Sequence, residues 1–196
     1  MADSRLKRHF FERDTLIVAK ELLGKTLVRV TEEGAVRARI VETEAYLGEI
    51  DDAAHTYKGK SERTRAAYGE KGAAYIYLIY GMYCCFNITT GEPNKPEMVL
   101  IRALEPLEGE TLMKARRLKA KKDIDLCNGP GKLCRALSID RALYGEDLCE
   151  SERFYIEDGE TPNRVAAGAR KNIDYAVNCK DKPWRFYIED NKYVSK

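Results

Sequence analysis

The stretch of this chain that most limits its fold is residues 25–48, "KTLVRVTEEGAVRARIVETEAYLG", in which apolar and polar residues alternate. A period of two is typical of a half-buried β-strand, because successive side chains point to opposite faces. The central "EEG" supplies a turn. The pattern predicts a β-hairpin in which residues 26–31 pair with residues 35–43.

The remaining elements predict one α+β domain over residues 1–196, with a mostly antiparallel, curved sheet and surrounding helices. A second hairpin is expected over residues 73–90, turning near Gly81, and residues 51–72 are predicted to form a long surface loop, of a length that is usually functional or disordered. Further strands are expected at "EMVLIRALEP", ending at Pro106, and at "ERFYIEDGE" and "WRFYIEDNKY". Helices are predicted over residues 10–23, capped by Asp14 or Thr15 and by Gly24, at "EGETLMKARRLK", and after "NGPGK".

The charge of the chain is nearly balanced, with 34 Lys and Arg against 32 Asp and Glu. A net charge of +2 does not by itself indicate a nucleic-acid partner. Residues 114–122, "KARRLKAKK", nevertheless hold six cations and no acid, which favours an anionic partner over a solvated helix face. No apolar run approaches the roughly 20 residues of a membrane span, and no signal sequence is recognisable, so a cytoplasmic protein without membrane contact is expected.

The cysteines do not follow a zinc-binding pattern, and reduced, mostly buried thiols are expected. They are Cys84, Cys85, Cys127, Cys134, Cys149 and Cys179. A metal site is an alternative for the acidic residues and the histidine near the end of the first hairpin, but the ligands are scattered, and we expect none. Its members would be Glu42, Glu44, Asp51, Asp52 and His55.

Glu44 lies at the end of the second predicted strand, just before Tyr46, and His55 follows eleven residues later. These residues are either ordinary surface groups or a general base with polar-tipped walls of a pocket. The segment "YIYLIYGMYCCFN", residues 75–87, has four tyrosines in nine residues. Tyr75 and Tyr77 share a strand face, and Tyr80 lies at the turn, where an exposed aromatic tip indicates a contact surface.

Five motifs in one order resemble the alkyladenine (3-methyladenine) DNA glycosylase family. They are "RIVETEAYLG…DDAAH", "YIYLIYGMYCCFNI", "VLIRALEPLEG", "NGPGKLCRAL" and "PWRFYI", and the resemblance runs from about residue 8 onward. It implies a DNA repair enzyme that flips alkylated or deaminated purines (3-methyladenine, hypoxanthine and ethenoadenine types) out of duplex DNA and hydrolyses the N-glycosidic bond. It also implies a protruding hairpin that enters the minor groove, no cofactor, and a monomer bound to double-stranded DNA.

The resemblance implies a role for each matching residue. Glu44 and Arg102 would be catalytic, the glutamate as a general base and the arginine as a holder of the attacking water. The flipped base would contact Tyr46, His55, Tyr77, Asn87 and Ile173, with Asn87 excluding the 2-amino group of guanine. Tyr80 and Met82 would intercalate into DNA, and Lys132 and Arg63 would bind phosphate. No lysine matches a Schiff-base nucleophile, so strand cleavage is not expected.

Two departures from the family pattern concern loops: Ser61-Glu62 replaces an expected Thr-Pro, and Asn172 replaces an expected Gly. Asn tolerates a positive φ, so the backbone at residue 172 is expected to survive. Two other functions stay open at the level of the sequence. One is a non-catalytic module that binds single-stranded nucleic acid, and the other is a sugar hydrolase that uses Glu42 and Glu44 as a carboxylate pair.

Overall fold

A computed structural model describes residues 4–195, over which the chain forms eight strands in one antiparallel sheet. In chain order the strands are β1 (Thr26–Thr31), β2 (Gly34–Tyr46), β3 (Ala74–Ile79), β4 (Tyr83–Thr90), β5 (Glu97–Glu108), β6 (Phe154–Glu157), β7 (Val165–Gly168) and β8 (Arg185–Ile188). Both predicted hairpins are present, β1 with β2 and β3 with β4. The predicted α+β class is confirmed.

Strand β2 is the centre of the sheet and has three partners. Along one edge it pairs with β5 throughout. Along the other edge its first half pairs with β1, and residues 42–44 pair with β8. Its residues from Ile40 to Ala45 are therefore buried on both faces. This arrangement places Glu42 and Glu44 deep in the protein, between side chains supplied by β5 and β8.

The helices are shorter than the sequence pattern predicts. They are α1 (Arg8–Phe11), α2 (Thr15–Glu21), α3 (Glu110–Arg116) and α4 (Pro130–Ala136). The single helix expected over residues 10–23 is two helices, because the Asp14 carboxylate accepts hydrogen bonds from the backbone N–H groups of Leu16 and Ile17 and so begins a new helix. A short 3₁₀ turn at Gly48–Ile50 precedes the long loop, and another at Arg65–Tyr68 interrupts it.

Strand β5 does not end at Pro106, as the sequence suggested, but continues to Glu108. The N–H of Leu104 points away from β2, towards the carbonyl of Cys127. N–H directions alternate along a strand, so the nitrogen of Pro106 also faces away from β2, and the ladder loses no donor. Proline is tolerated here for that reason.

One large hydrophobic core joins the helices to the sheet, with Phe11, Leu22, Ile40, Phe86 and Leu104 among its fully buried members. All six cysteines fall within the described residues and are free, five of them buried, as predicted. Over residues 4–195 no helix is long and apolar enough to cross a membrane.

Candidate active site

A cavity of about 360 Å³ opens where the ends of β2, β3, β4 and β5 meet the loop 169–175. This volume falls in the range of small-molecule sites. The predicted site residues on its wall are Glu44, Tyr46, His55, Arg63, Tyr77, Tyr80, Asn87, Arg102 and Ile173. Residues spread over more than 120 positions of the chain thus meet at one place.

Glu44 is the only carboxylate on the cavity wall among the residues that the structure describes. Its Oε1 accepts a hydrogen bond from the backbone N–H of Lys171 at 2.9 Å and lies 3.4 Å from Nη1 of Arg102. Its Oε2 accepts a hydrogen bond from the Tyr46 hydroxyl at 2.9 Å. Since each carboxylate oxygen offers two lone pairs, acceptor capacity remains for a water in the cavity.

Burial raises the pKa of Glu44, although the Arg102 cation, the Lys171 N–H and the Tyr46 hydroxyl act in the opposite direction. Desolvation disfavours the charged form, whereas nearby donors and cations favour it. A carboxyl group balanced in this way has the character of a general base.

A second carboxylate, Glu42, lies behind Glu44 and is held by cations from two strands. Its Oε1 accepts a hydrogen bond from Nη1 of Arg185 at 2.9 Å and lies 3.4 Å from Nε of Arg102. Its Oε2 accepts a hydrogen bond from the backbone N–H of Ser195 at 2.8 Å. We call Glu42, Glu44, Arg102, Arg185 and Ser195 the charged wall.

Glu42 is not among the residues that line the cavity within the described part of the chain. Hydrolysis by a carboxylate pair needs both groups to flank the scissile bond. The position of Glu42 therefore gives no support to the carboxylate-pair interpretation. The sequence offered no signal for Ser195 or Arg185 as neighbours of the site, because both come from the distant C-terminal part of the chain.

Tyr46 and Tyr77 provide aromatic surface in the cavity. The guanidinium of Arg170 lies 4.6 Å from the ring centroid of Tyr46 and 4.9 Å from that of Trp184. Arg170 is in turn held by Asp51, with Nη1 to Oδ2 at 2.5 Å and Nη2 to Oδ1 at 2.9 Å, and both side chains are fully buried. This pair fixes one side of Tyr46, and sequence reasoning did not identify it.

His55 has partners on both ring nitrogens. Its Nε2 lies 3.3 Å from Nη2 of Arg63, and its Nδ1 lies 3.0 Å from the hydroxyl of Tyr75. Because a guanidinium can only donate, Nε2 is the acceptor, and in the neutral ring the proton is on Nδ1. Burial, assisted by the Arg63 cation, lowers the pKa of His55 to about 4, so the ring is neutral near pH 7.

Asn87 is buried at the cavity wall, and its Nδ2 donates to the carbonyl of Tyr75 at 3.2 Å. Ile173, on the loop 169–175, also lines the cavity. Asn172 beside it has a φ of 58°. The left-handed backbone expected where Asn replaces Gly is confirmed, and the loop keeps Ile173 at the cavity.

The tip of the β3–β4 hairpin, residues 80–82, carries exposed apolar side chains at the edge of the cavity. Tyr80 and Met82 are 81% and 68% exposed. Tyr80 and Gly81 both have positive φ, and the N–H of Met82 donates to the carbonyl of Ile79, which is the pattern of a type I′ turn. This turn directs the aromatic ring of Tyr80 away from the core.

The predicted phosphate-binding residues lie at two different places. Arg63 is at the cavity, 5.5 Å from the ring centroid of Tyr77. Lys132 is in α4, donates to Oδ1 of Asn128 at 2.7 Å, and lines a surface groove together with Lys121 and Lys122. Within the cation-rich segment 114–122, Lys114 forms ion pairs with Glu110 and Asp123, and Arg116 forms one with Glu33. Part of the segment is therefore neutralised within the protein.

The candidate metal ligands named from the sequence do not form one cluster. Among residues 4–195, the one compact set of such groups is Asp51, Asp52 and Cys179. Asp51 is bound to Arg170, and Asp52 accepts hydrogen bonds from the N–H groups of residues 177–179. The carboxylates of Asp51 and Asp52 are thus both engaged in hydrogen bonds with groups of the protein.

Comparison with known proteins adds a second line of observation. The family model described as methylpurine-DNA glycosylase matches residues 9–192. A protein of Desulfitobacterium hafniense (strain Y51) is 51% identical over 199 residues, which cover 97% of this chain and 98% of that protein. A protein of Methanocella arvoryzae is 51% identical over 191 residues, covering 97% and 96%. A protein of Clostridium tetani is 47% identical over 203 residues, covering 98% and 99%. Each of the three bears the name "Putative 3-methyladenine DNA glycosylase".

Proposed function

This chain belongs to the methylpurine-DNA glycosylase family, and we propose that it releases 3-methyladenine and related damaged purines from duplex DNA by hydrolysing the N-glycosidic bond. The observation that supports this reaction best is one buried carboxylate, Glu44, on the wall of a cavity lined by aromatic side chains. A module that only binds nucleic acid has no use for a buried carboxylate beside its aromatic surface, where it repels phosphate.

The damaged nucleotide is flipped out of the duplex into the cavity, since the glycosidic bond is out of reach inside the base stack. The base stacks on Tyr46 and Tyr77. Stacking on an aromatic ring contributes about 1–3 kcal/mol per base and depends little on base identity. These contacts suit a substrate range that includes hypoxanthine and ethenoadenine.

Glu44 takes a proton from a water as the water oxygen bonds to the anomeric carbon of the deoxyribose. The bond from that carbon to the purine nitrogen breaks, its electrons leave with the base, and an abasic site remains. The negative charge of Glu44 also stabilises the oxocarbenium-like transition state. Arg102, 3.4 Å from Glu44, holds the water and the carboxylate in place.

Asn87 and His55 determine which bases are accepted. Asn87 is fixed by its hydrogen bond to the Tyr75 carbonyl and blocks the 2-amino group of guanine. After Arg63 withdraws, Nε2 of neutral His55 accepts a hydrogen bond from the purine. Arg63 is then free to contact a phosphate. Ile173 contributes an apolar surface to the cavity.

The DNA contacts lie outside the cavity. Tyr80 and Met82 enter the minor groove and occupy the gap left by the flipped nucleotide. Lys132, with Lys121 and Lys122 in the same groove, neutralises phosphates. The enzyme acts as a monomer, in the cytoplasm at the nucleoid, and needs no cofactor.

The proposal is tested with a panel of duplexes that each carry one 3-methyladenine, hypoxanthine or ethenoadenine, or no lesion. We expect strand breaks at the lesion only after alkali, because the product is an abasic site. Lys171 is the lysine nearest the chemistry, and its Nζ donates to the carbonyl of Ser195 at 2.8 Å. Strand breaks without alkali, or a covalent adduct trapped by borohydride, contradict the monofunctional reaction. Absence of cleavage on every lesion contradicts the glycosylase proposal.

A further inference from the structure

All three polar groups of Ser195 are bonded to residues around the catalytic carboxylate. Its N–H donates to Oε2 of Glu42 at 2.8 Å, and its carbonyl accepts from Nζ of Lys171 at 2.8 Å. Its Oγ accepts from Nε of Arg102 at 3.2 Å. Ser195 is itself buried. A residue 93 positions away in the chain thus contacts Arg102 directly.

Arg102 lies between two carboxylates. Its Nη1 is 3.4 Å from Oε1 of Glu44, and its Nε is 3.4 Å from Oε1 of Glu42. Because the two distances are equal, the attraction of the two carboxylates does not by itself hold the guanidinium close to Glu44. The hydroxyl of Ser195 takes the Nε donor at a shorter distance than Glu42 does. Meanwhile Arg185, 2.9 Å from Glu42, supplies that carboxylate with a cation of its own.

We propose that Ser195 is a positioning residue, whose hydroxyl holds the Arg102 guanidinium close to Glu44. The backbone of Ser195 is itself held by hydrogen bonds to Glu42 and Lys171. The inference rests on the roles proposed above for Glu44 and Arg102. Lys171 connects the two sides of the arrangement, because its backbone N–H donates to Glu44 and its side chain donates to Ser195. Without the hydroxyl, Arg102 relaxes towards Glu42.

The direction of the effect follows from the groups that face Glu44. Arg102 from β5 and the N–H of Lys171 lower its pKa, as does the Tyr46 hydroxyl from β2, while burial and Glu42 raise it. The other titratable groups that interact with Glu44 are Tyr77 from β3, Cys85 from β4, Arg170, the Lys171 amine and Tyr175. Moving Arg102 away removes a cation, so the pKa of Glu44 rises further, and the acid limb of the pH–rate profile moves to higher pH.

The test is Ser195→Ala, with Ser195→Thr to restore the hydroxyl. We expect the acid limb of single-turnover excision to move up by about one pH unit, which is about a tenfold loss of rate on that limb. The rate on the alkaline plateau should fall much less, and Ser195→Thr should recover most of the shift. The matched control is Ser151→Ala. It removes the hydrogen bond that the Ser151 hydroxyl donates to Glu146, and neither residue lines the cavity.

A second readout separates this inference from the proposed reaction. The Glu44 carboxyl is followed by ¹³C NMR in protein without DNA, where the Ser195→Ala variant should titrate at higher pH than the wild type. An unmoved titration and an unmoved acid limb overturn the inference. An equal fall in rate at every pH, with a lower melting temperature, also overturns it, since it indicates a merely structural role. Failure of the lesion panel contradicts the proposed function but leaves the NMR comparison intact.

Discussion

The charged wall and the hairpin tip, which flank the same cavity, are built in opposite ways. The side chains of Glu42 and Glu44 are fully buried and that of Arg102 is 7% exposed, whereas Tyr80 and Met82 are 81% and 68% exposed. Buried charges are costly unless donors and cations are already in place. An exposed apolar tip gains its contacts only when a partner arrives. In the proposed function, chemistry belongs to the region arranged in advance, and recognition of DNA belongs to the region left open.

The sharpest way to break this comparison is Glu44→Gln in the charged wall. The amide is nearly isosteric but cannot take a proton, so base release should fall by at least about 100-fold, the usual contribution of a general base. Lesion binding should persist, because the hairpin tip is unchanged. Single-turnover excision and fluorescence anisotropy measure the two effects separately.

Glu152→Gln makes the same chemical change at an exposed position and should leave excision unaltered. Activity of Glu44→Gln above about a tenth of the wild-type value would remove Glu44 from the role of base.

Asp51→Asn tests whether pre-arranged charge also stabilises the aromatic side of the cavity. The change leaves the Arg170 guanidinium fully buried without its anion, and breaking such a pair costs about 3–5 kcal/mol. We expect this loss in the free energy of unfolding measured with urea. Asp181→Asn, at an exposed position, is the control and should change the free energy little. A loss below about 1 kcal/mol would show that the ion pair is replaceable.

Tyr80→Ala examines the open region. We propose that the Tyr80 ring fills the gap in the base stack, so its removal should weaken lesion binding by about 1–3 kcal/mol. Because the ring is exposed, the free energy of unfolding should change by less than about 0.5 kcal/mol. Leu107→Ala removes a 44% exposed apolar side chain outside the proposed DNA-contacting segments and should leave DNA affinity unchanged. Equal affinity losses in the two variants would deny the hairpin tip a specific role.

Local pattern predicted the two hairpins and the exposed turn, whereas the residues of the cavity lining were implied by the family resemblance. The alternation in β1 and β2 predicted the first hairpin, although β1 pairs with residues 34–39 and not with 35–43, and the Tyr80-Gly81 pair predicted the turn of the second. Asn172 adopts the positive φ that its chemistry allows. Such properties follow from a few neighbouring residues and from the period of the strand.

The charged wall could not be predicted in the same way, because its partners come from distant parts of the chain. Ser195 contacts Glu42 across 153 positions, and Lys171 contacts Glu44 across 127. No local pattern encodes these pairs. The error at Pro106 has the same origin: whether a proline ends a strand depends on which side its nitrogen faces, and that is a tertiary property.

Asn87→Ser sharpens the comparison within the cavity, where we propose that specificity depends on exclusion. The shorter side chain should leave room for the 2-amino group of guanine, and release of guanine relative to hypoxanthine should rise about tenfold, as for other small changes of pocket shape. Single-turnover excision from otherwise identical duplexes measures the ratio. Asn163→Ser, on the surface, provides the control. A folded variant with the wild-type ratio would show that Asn87 is not the gate.

The smallest effects on DNA binding are expected from replacing single lysines. These variants compare lysines that line the surface groove with a lysine that forms ion pairs within the protein. Lys121, Lys122 and Lys132 line one groove, whereas the amine of Lys114 lies 3.1 Å from Glu110 and 2.8 Å from Asp123. Binding should weaken with salt as lysine–phosphate contacts release counterions. Replacing each groove lysine by Ala should reduce the slope of log K against log salt by about 1. Lys114→Ala removes the same charge but leaves two acids without their cation, so it should weaken binding without reducing the slope. If Lys114→Ala reduces the slope as much as Lys132→Ala does, the two lysines contact phosphate alike, and internal pairing does not decide which cations meet DNA.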